Sequence, residues 1–314
     1  MSCYRHVADL VYDGRLSECY REVDRLIRAG LVRQIENPYD RRQRCLALTQ
    51  LGARRLSLPP NQARATSRVL RESIRQADVC ACFIRGGLRP ENVLFRDEAL
   101  SRFRLKPQRS GIAFGIKDGE AVHFVYVRHS WSTLSALVQS IAHAPARVQS
   151  HIVVCMAEST LRRNLKLLLA RDIRPVVRIV SLKEIPALIK ALARPVFGVV
   201  VSDTMPQVIS GGHLSFPPEK EPFLLAWESP TCGQIRLVDA RLGDLAAFRQ
   251  LKYSSDHGLP TTVFVQCREQ AERIASMHRF HEALWVVICD KEPEEALFRV
   301  RPDGLVPVNG GGGP

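Results

Sequence analysis

Between residues 110 and 300 the chain carries the same succession of apolar runs twice, and this constrains its fold more than any other feature. In the first pass SGIAFGIKDGEAVHFVYV reads as two strands, STLSALVQSIAHA as a helix and HIVVCMA as a strand. TLRRNLKLLLA then reads as a helix, PVVRIVS as a strand and LKEIPALIKAL as a closing helix. The second pass, PFLLAWESPTCGQIRLVDA, LGDLAAFRQLKYSS, TTVFVQC, REQAERIASMH, ALWVVICD and KEPEEALFRV, keeps that order at nearly the same spacing. Short β-branched runs alternating with amphipathic helices predict α/β architecture, here two related ββαβαβ domains over 108–206 and 207–305. The tail 306–314 offers almost nothing apolar to bury and is expected to be disordered.

The N-terminal part follows a different rule. From Leu16 to Ala29, Leu16, Cys19, Tyr20, Val23, Leu26 and Ile27 recur at three- and four-residue spacing, the mark of a helix with one buried stripe. Ser17 is its expected N-cap and Gly30 its stop. Its other face carries Glu18, Arg21, Glu22, Asp24, Arg25 and Arg28. LVRQIE, the turn residues NPYD, and RRQRCLALT predict two short strands around a basic turn, and a further helix starts at Gln50. Helix, hairpin, helix is the order of a winged helix, expected over 1–58. Pro59 and Pro60 close it, and 59–107 reads as a helical connector containing the amphipathic run ARATSRVLRESIRQADVCACFI.

Charge singles out the same region. The net charge is +13, and residues 1–110 hold 22 Lys and Arg against 12 Asp and Glu, whereas residues 111–314 hold 23 against 20. Before residue 110 all of these cations but Lys106 are arginines, whose planar guanidinium suits phosphate oxygens and groove-edge acceptors. Nucleic acid is thus the expected partner. No apolar run has the length of a membrane span, and the first residues lack the pattern of a secretory signal, so a cytoplasmic protein without a membrane partner is expected. Nine cysteines without a C-x-x-C pair read as small buried hydrophobes, with no metal and no cofactor implied.

Gly30, Leu31, Asp40, Arg42, Leu48, Thr49 and Gly52 stand at the spacing of the wing in MarR-type regulators, and AGLVRQIENPYDRRQRCLALTQLGARRL resembles that family. The resemblance implies that the helix before the wing enters the major groove, that Arg42 reaches the minor groove and that Asp40 supports the wing. The candidate DNA-binding residues are Arg15, Ser17, Arg21, Arg25, Arg28, Asp40, Arg41, Arg42, Gln43 and Arg44. Relative to that family the chain starts at the helix preceding the recognition helix.

The downstream order, with FVYVRHSWSTLSALVQSI, HIVVCMAESTLRRNLKLLL and RQLKYSSDHGLPTTVFV, also resembles the replication-relaxation proteins of plasmids and integrative elements. In that family a winged helix precedes a fold similar to PD-D/E-x-K nucleases. The resemblance implies a double-stranded DNA-binding protein, either a transcription regulator or an accessory factor in replication or conjugative relaxation. It would act as a homodimer or with a relaxase or replication partner.

An active nuclease of that type needs carboxylates around Mg²⁺. The first copy has Val127 and Arg128 where acids are required. In the second, Asp239 and Arg241 imitate D-x-K, and a fallback site would draw on Glu228, Asp239 and Lys252. A protein without enzymatic activity is expected, with a metal-dependent endonuclease or an assembly scaffold as alternatives. VVVSDTMP around Asp203 reads as a buried strand, HRFH as a helix-surface histidine pair at 278 and 281, and Cys80 and Cys82 as core.

Overall fold

The computed structural model describes residues 2–37, 44–57, 67–105, 111–128, 134–193, 196–209, 211–278, 281–291 and 293–308. Contacts divide the chain into two compact units, Met1–Val127 and Arg128–Pro314. The architecture is mixed α and β, with more than one sheet.

In the first unit β1 (Ser2–Cys3) leads into α1 (Tyr4–Val11) and α2 (Leu16–Arg28), followed by β2 (Val32–Glu36), β3 (Arg44–Leu48) and α3 (Gln50–Arg55). The strands form an antiparallel sheet in the order β1-β3-β2. Alternation along the hairpin decides which residues meet the helices. Leu46 and Val32 join Tyr4, Ala8, Cys19 and Val23 in one core cluster. On the other face Cys45 and Ile35 pack against Ile74 of α4 (Ser67–Arg85).

The stretch expected as a purely helical connector also contributes β4 (Val93–Phe95) before α5 (Arg96–Arg102). β4 pairs antiparallel with β5 (Phe114–Asp118), which pairs with β6 (Ala121–Arg128). This pairing places the connector and the first hairpin of the duplicated region in one unit. Contacts therefore thin out at 127/128 instead of at 107/108.

In the second unit come α6 (Leu134–Ala142), β7 (Val148–Cys155), α7 (Glu158–Leu169), β8 (Val177–Ser181), α8 (Ile185–Leu192) and α9 (Phe197–Val208). β9 (His213–Ser215), β10 (Leu225–Ser229), β11 (Gly233–Asp239), α10 (Leu245–His257), β12 (Thr261–Val265), α11 (Arg268–Met277), β13 (Leu284–Ile288), α12 (Pro293–Ala296), β14 (Leu297–Arg301) and β15 (Gly304–Pro307) complete it. β9 to β15 lie side by side in chain order in one seven-stranded sheet, parallel across β11-β12-β13 and antiparallel outside. β7 and β8 are parallel. The succession hairpin, helix, strand, helix, strand thus occurs twice, as β5-β6-α6-β7-α7-β8 and β10-β11-α10-β12-α11-β13.

Residues from both passes are joined within this unit, so 206/207 is not a division between compact bodies. Arg178 on β8 donates to Asp244 at 3.1 Å, and the Ile179 N–H donates to the Gly243 carbonyl. Arg273 on α11 pairs with Glu158 at 3.2 Å and with Glu184.

Two segments differ from what their sequence predicts. VVVSDTMP lies in a helix, α9, because Val201, Met205 and Ile209 recur every fourth residue and are buried together, overriding the strand preference of the valines. Asp203 is exposed on its outer side. The HRFH histidines are no helical pair: α11 ends at Met277, His278 is its C-cap, and His281 is buried with Nε2 at 2.8 Å from Ser254 Oγ. Cys80 is buried in α4, as expected. The tail beyond 308 lies outside the described residues.

Candidate nucleic-acid interface

Helix α2 is positioned by its buried stripe. Cys19 and Val23 are in the core, and the Cys19 thiol donates to the Tyr4 carbonyl at 3.4 Å. The turn from α1 is tight: Asp13 and Gly14 take positive φ, and the Gly14 N–H returns to the Ala8 carbonyl. The helix begins at Leu16 with Arg15 as N-cap and no side-chain cap bond, so Ser17 lies inside the first turn instead of capping it. At 100° per residue, Ser17, Arg21 and Arg28 fall within an arc of about 40° opposite the stripe of Cys19 and Val23. All three are exposed.

Their commitments differ. Arg15 donates to Glu18 at 2.8 Å and to the Tyr12 carbonyl, and Arg25 donates to Glu22 at 2.9 Å. Arg21 and Arg28 have no hydrogen bond or ion pair with another described residue. The Arg25 side chain is 71% exposed, so its pair is a weak one of about 0.2–1 kcal/mol that a phosphate can displace.

The wing-like hairpin is locked to the end of α2 by the residues that carried the family resemblance. Gly30 takes φ +66° and ends the helix. Thr49 caps α3, accepting the Gly52 N–H at 3.0 Å, while its hydroxyl donates to the Gly30 carbonyl at 2.5 Å and its N–H to the Leu31 carbonyl. A Cβ on Gly52 would stand 2.1 Å from the Leu31 oxygen, so only glycine admits this approach. Beyond the hairpin body, Asp40, Arg41, Arg42 and Gln43 lie outside the described residues. Arg44 is exposed at the start of β3, directly opposite Glu36.

Arg33, Arg54 and Arg55 are exposed as well and were missed by the sequence reading. Strand alternation puts Arg33 on the face of Ile35, which packs against Ile74, so no local pattern marked its exposure. Beside α2 a cavity of about 450 Å³ is lined by Tyr4, Leu16, Tyr20, Asp24, Gln34 and Arg44, among others. Tyr4 and Tyr20 rings meet there at 4.6 Å, and Gln34 donates to the Tyr4 hydroxyl.

The fallback nuclease residues are not assembled. Glu228 pairs in register with Gln234, so Asp239 lies five residues further along β11, about 16 Å away. An odd offset also puts the two carboxylates on opposite faces of the sheet. Asp239 is held by Arg241, whose Nε and Nη2 donate at 2.8 Å each and whose N–H adds a third bond. Lys252 pairs with Asp256 on the surface of α10. Glu158, in the first pass, is paired with Arg273 and Arg162, which draw its pKa down against the effect of burial. Among the described residues no group of three or more His, Cys, Asp or Glu is placed to hold a metal ion. None of the described helices is by itself long and apolar enough to cross a membrane. No family model, curated protein or solved structure matches the chain.

Proposed function

We propose that residues 1–57 are a winged helix that binds double-stranded DNA, with α2 as recognition helix and the β2–β3 hairpin as wing. The observation that carries the reading is the outer ridge of α2, where Arg21 and Arg28 are exposed and uncommitted among the described residues. Support comes from the element order β1-α1-α2-β2-β3, the sheet order β1-β3-β2, and the Gly30, Thr49 and Gly52 lock that fixes the hairpin to the helix end. In this arrangement Arg21, Arg25 and Arg28 contact base edges and flanking phosphates, and the basic wing follows the backbone. Arg25 and Arg15 exchange their acidic neighbours for phosphate oxygens on binding.

In the same reading the duplicated α/β region, similar to a degenerate nuclease fold, contributes assembly instead of cleavage. It joins a second copy or a replication or relaxation partner, and the protein acts as a regulator or an accessory factor. Asp239 then serves as the anchor for Arg241.

Fluorescence anisotropy with a mixed-sequence duplex over a range of salt tests the binding. Each phosphate contact contributes about −0.9 to the slope of log K against log salt, so replacing both Arg21 and Arg28 with Ala should flatten the slope by about 2 units. A wild-type slope near zero refutes the DNA reading. Nicking of supercoiled DNA with Mg²⁺ that disappears in Asp239→Ala would replace it with the endonuclease.

A further inference from the structure

The second unit carries a basic surface that the winged-helix reading does not use. Between residues 158 and 174 the chain sets Arg162, Arg163, Lys166, Arg171 and Arg174 against two acids, Glu158 and Asp172. Helix α7 turns its apolar stripe inward, where Leu161, Leu165 and Leu168 are fully buried. At 100° per residue Arg162, Lys166 and Arg163 spread over an arc of about 100° on the opposite side. All three are exposed. Arg171 and Arg174 follow, exposed, in the segment that leads to β8. Packing of α10 against α7 brings a further cation beside them, because Arg249 Nη2 donates to the Arg171 carbonyl at 2.7 Å.

These cations are available to a ligand. The side chains of Lys166, Arg171 and Arg174 have no hydrogen bond or ion pair with another described residue. Arg162 pairs with Glu158 at 3.2 Å, but the two side chains are 51% and 44% exposed, so water screens the pair and a phosphate oxygen can displace the carboxylate. Glu158 keeps Arg273 when it releases Arg162.

The repeated fold supplies its own comparison. α11 holds in the second pass the place of α7 in the first, since each joins a pair of parallel neighbours, β7 to β8 and β12 to β13. The exposed charges of α11 are Arg268 against Glu269 and Glu272, and Arg268 is tied to Glu272 at 2.9 Å. A helix in this place therefore folds with the opposite charge balance. Like charges three and four residues apart, as in Arg163 with Lys166 and Arg162 with Lys166, work against a helix. A bound polyanion removes that repulsion.

We propose that α7 and the segment after it, through Arg162, Lys166, Arg171 and Arg174, form a second nucleic-acid contact that grips the phosphodiester backbone of duplex DNA without reading its sequence. The guanidinium forks match phosphate oxygens, and such contacts strengthen binding to every sequence alike. A lipid surface would need an apolar face beside the charges, and that of α7 is buried in the unit. Duplex DNA as the occupant rests on the winged-helix reading, whereas the surface itself does not.

The test is anisotropy of a mixed-sequence duplex with the full chain over a range of salt. Lys166→Gln, Arg171→Gln and Arg174→Gln together keep the side-chain stems and remove three phosphate contacts, so the slope of log K against log salt should flatten by about 2.7 units, at about 0.9 per contact. The same loss should appear on top of that caused by Arg21→Ala with Arg28→Ala. Lys183→Gln, Lys220→Gln and Arg301→Gln, at exposed positions elsewhere in the second unit, change the net charge equally and should leave the slope at the wild-type value. Bound duplex should also shield Lys166 of the wild-type protein from acetylation by acetic anhydride while Lys183 labels as before, as read by peptide mapping. A slope that the Lys166, Arg171 and Arg174 variant leaves unchanged, an equal loss in the Lys183, Lys220 and Arg301 variant, or labelling of Lys166 that duplex does not slow overturns the proposal. So does an unchanged slope accompanied by lost binding to phosphatidylserine vesicles, which assigns the surface to a membrane. If Arg21→Ala with Arg28→Ala leaves the slope alone and the α7 variant flattens it, the winged-helix reading falls and this surface stands. The reverse result removes this surface and leaves the winged helix.

Discussion

Removing the guanidinium of Arg273 should unfold the second unit far more readily. The side chain is 2% exposed and donates to Glu158 on α7 and to Glu184, which is 0% exposed. The other oxygen of Glu184 accepts the Ser181 N–H at 2.7 Å. Arg273→Met keeps the apolar stem but leaves Glu184 with that single donor. Glu158 is 44% exposed and can rehydrate, so nearly all of the cost falls on Glu184. Stripping one partner from a buried pair costs about 3–5 kcal/mol.

Residues 1–127 contain no tryptophan, so urea unfolding followed by tryptophan emission reports on the second unit alone. Adding Glu184→Gln to Arg273→Met should recover about half of the loss or more, because the amide oxygen still accepts from Ser181 and no charge is buried. The pH dependence has a definite sign. Burial already holds the Glu184 pKa above the ordinary glutamate range despite Arg273, and loss of Arg273 raises it further. A carboxyl with a raised folded pKa favours the fold at low pH and loses that contribution as pH climbs through the folded value. The deficit should therefore be largest at neutral pH and shrink towards pH 4.5, the ordinary glutamate value. A loss below about 1 kcal/mol, unchanged with pH, would refute the view that this network joins the two passes.

Gly52→Ala should cost roughly 1–3 kcal/mol in chemical denaturation of the first unit and weaken duplex binding, because the new Cβ collides with the Leu31 carbonyl that fixes the hairpin. Acid should destabilise the second unit through His151: burial depresses its pKa from 6.5 to about 4, so the unfolded chain takes up its proton first. That group contributes a slope of about 1.4 kcal/mol per pH unit between those values, and His151→Phe should flatten the stability profile there. Asp239→Asn should lower stability by about 1–3 kcal/mol by leaving the buried Arg241 guanidinium underpaired, while anisotropy with duplex DNA stays at the wild-type value.

Much of the architecture was readable because its signals are local. The three- and four-residue spacing of Cys19, Val23 and Ile27 set the buried side of α2, although Leu16, Tyr20 and Leu26 of the same expected stripe are exposed, and Gly30 marked its end through a positive φ. The two passes of strand and helix were legible for the same reason, since each run fixes its own secondary structure. Where several elements compete for a stretch, local preference failed. The valines of α9 favour a strand in isolation, but burial of Val201, Met205 and Ile209 on one side wins.

The amino-acid sequence by itself thus determined most of the elements, though not α9 or β4, together with the concentration of arginine in the first 110 residues and the motif that joins helix to hairpin. Only the tertiary structure decided which distant side chains meet. Register separated Glu228 from Asp239 onto opposite faces and set Cys3 opposite Cys45. Packing of α1 on α4 brought His6 to Asp78, 72 positions later, and packing within the second unit brought Arg273 to Glu184. Periodicity records how a segment divides its surface between core and water. Which segment covers that surface depends on contacts between residues far apart in the chain, and no local pattern encodes them.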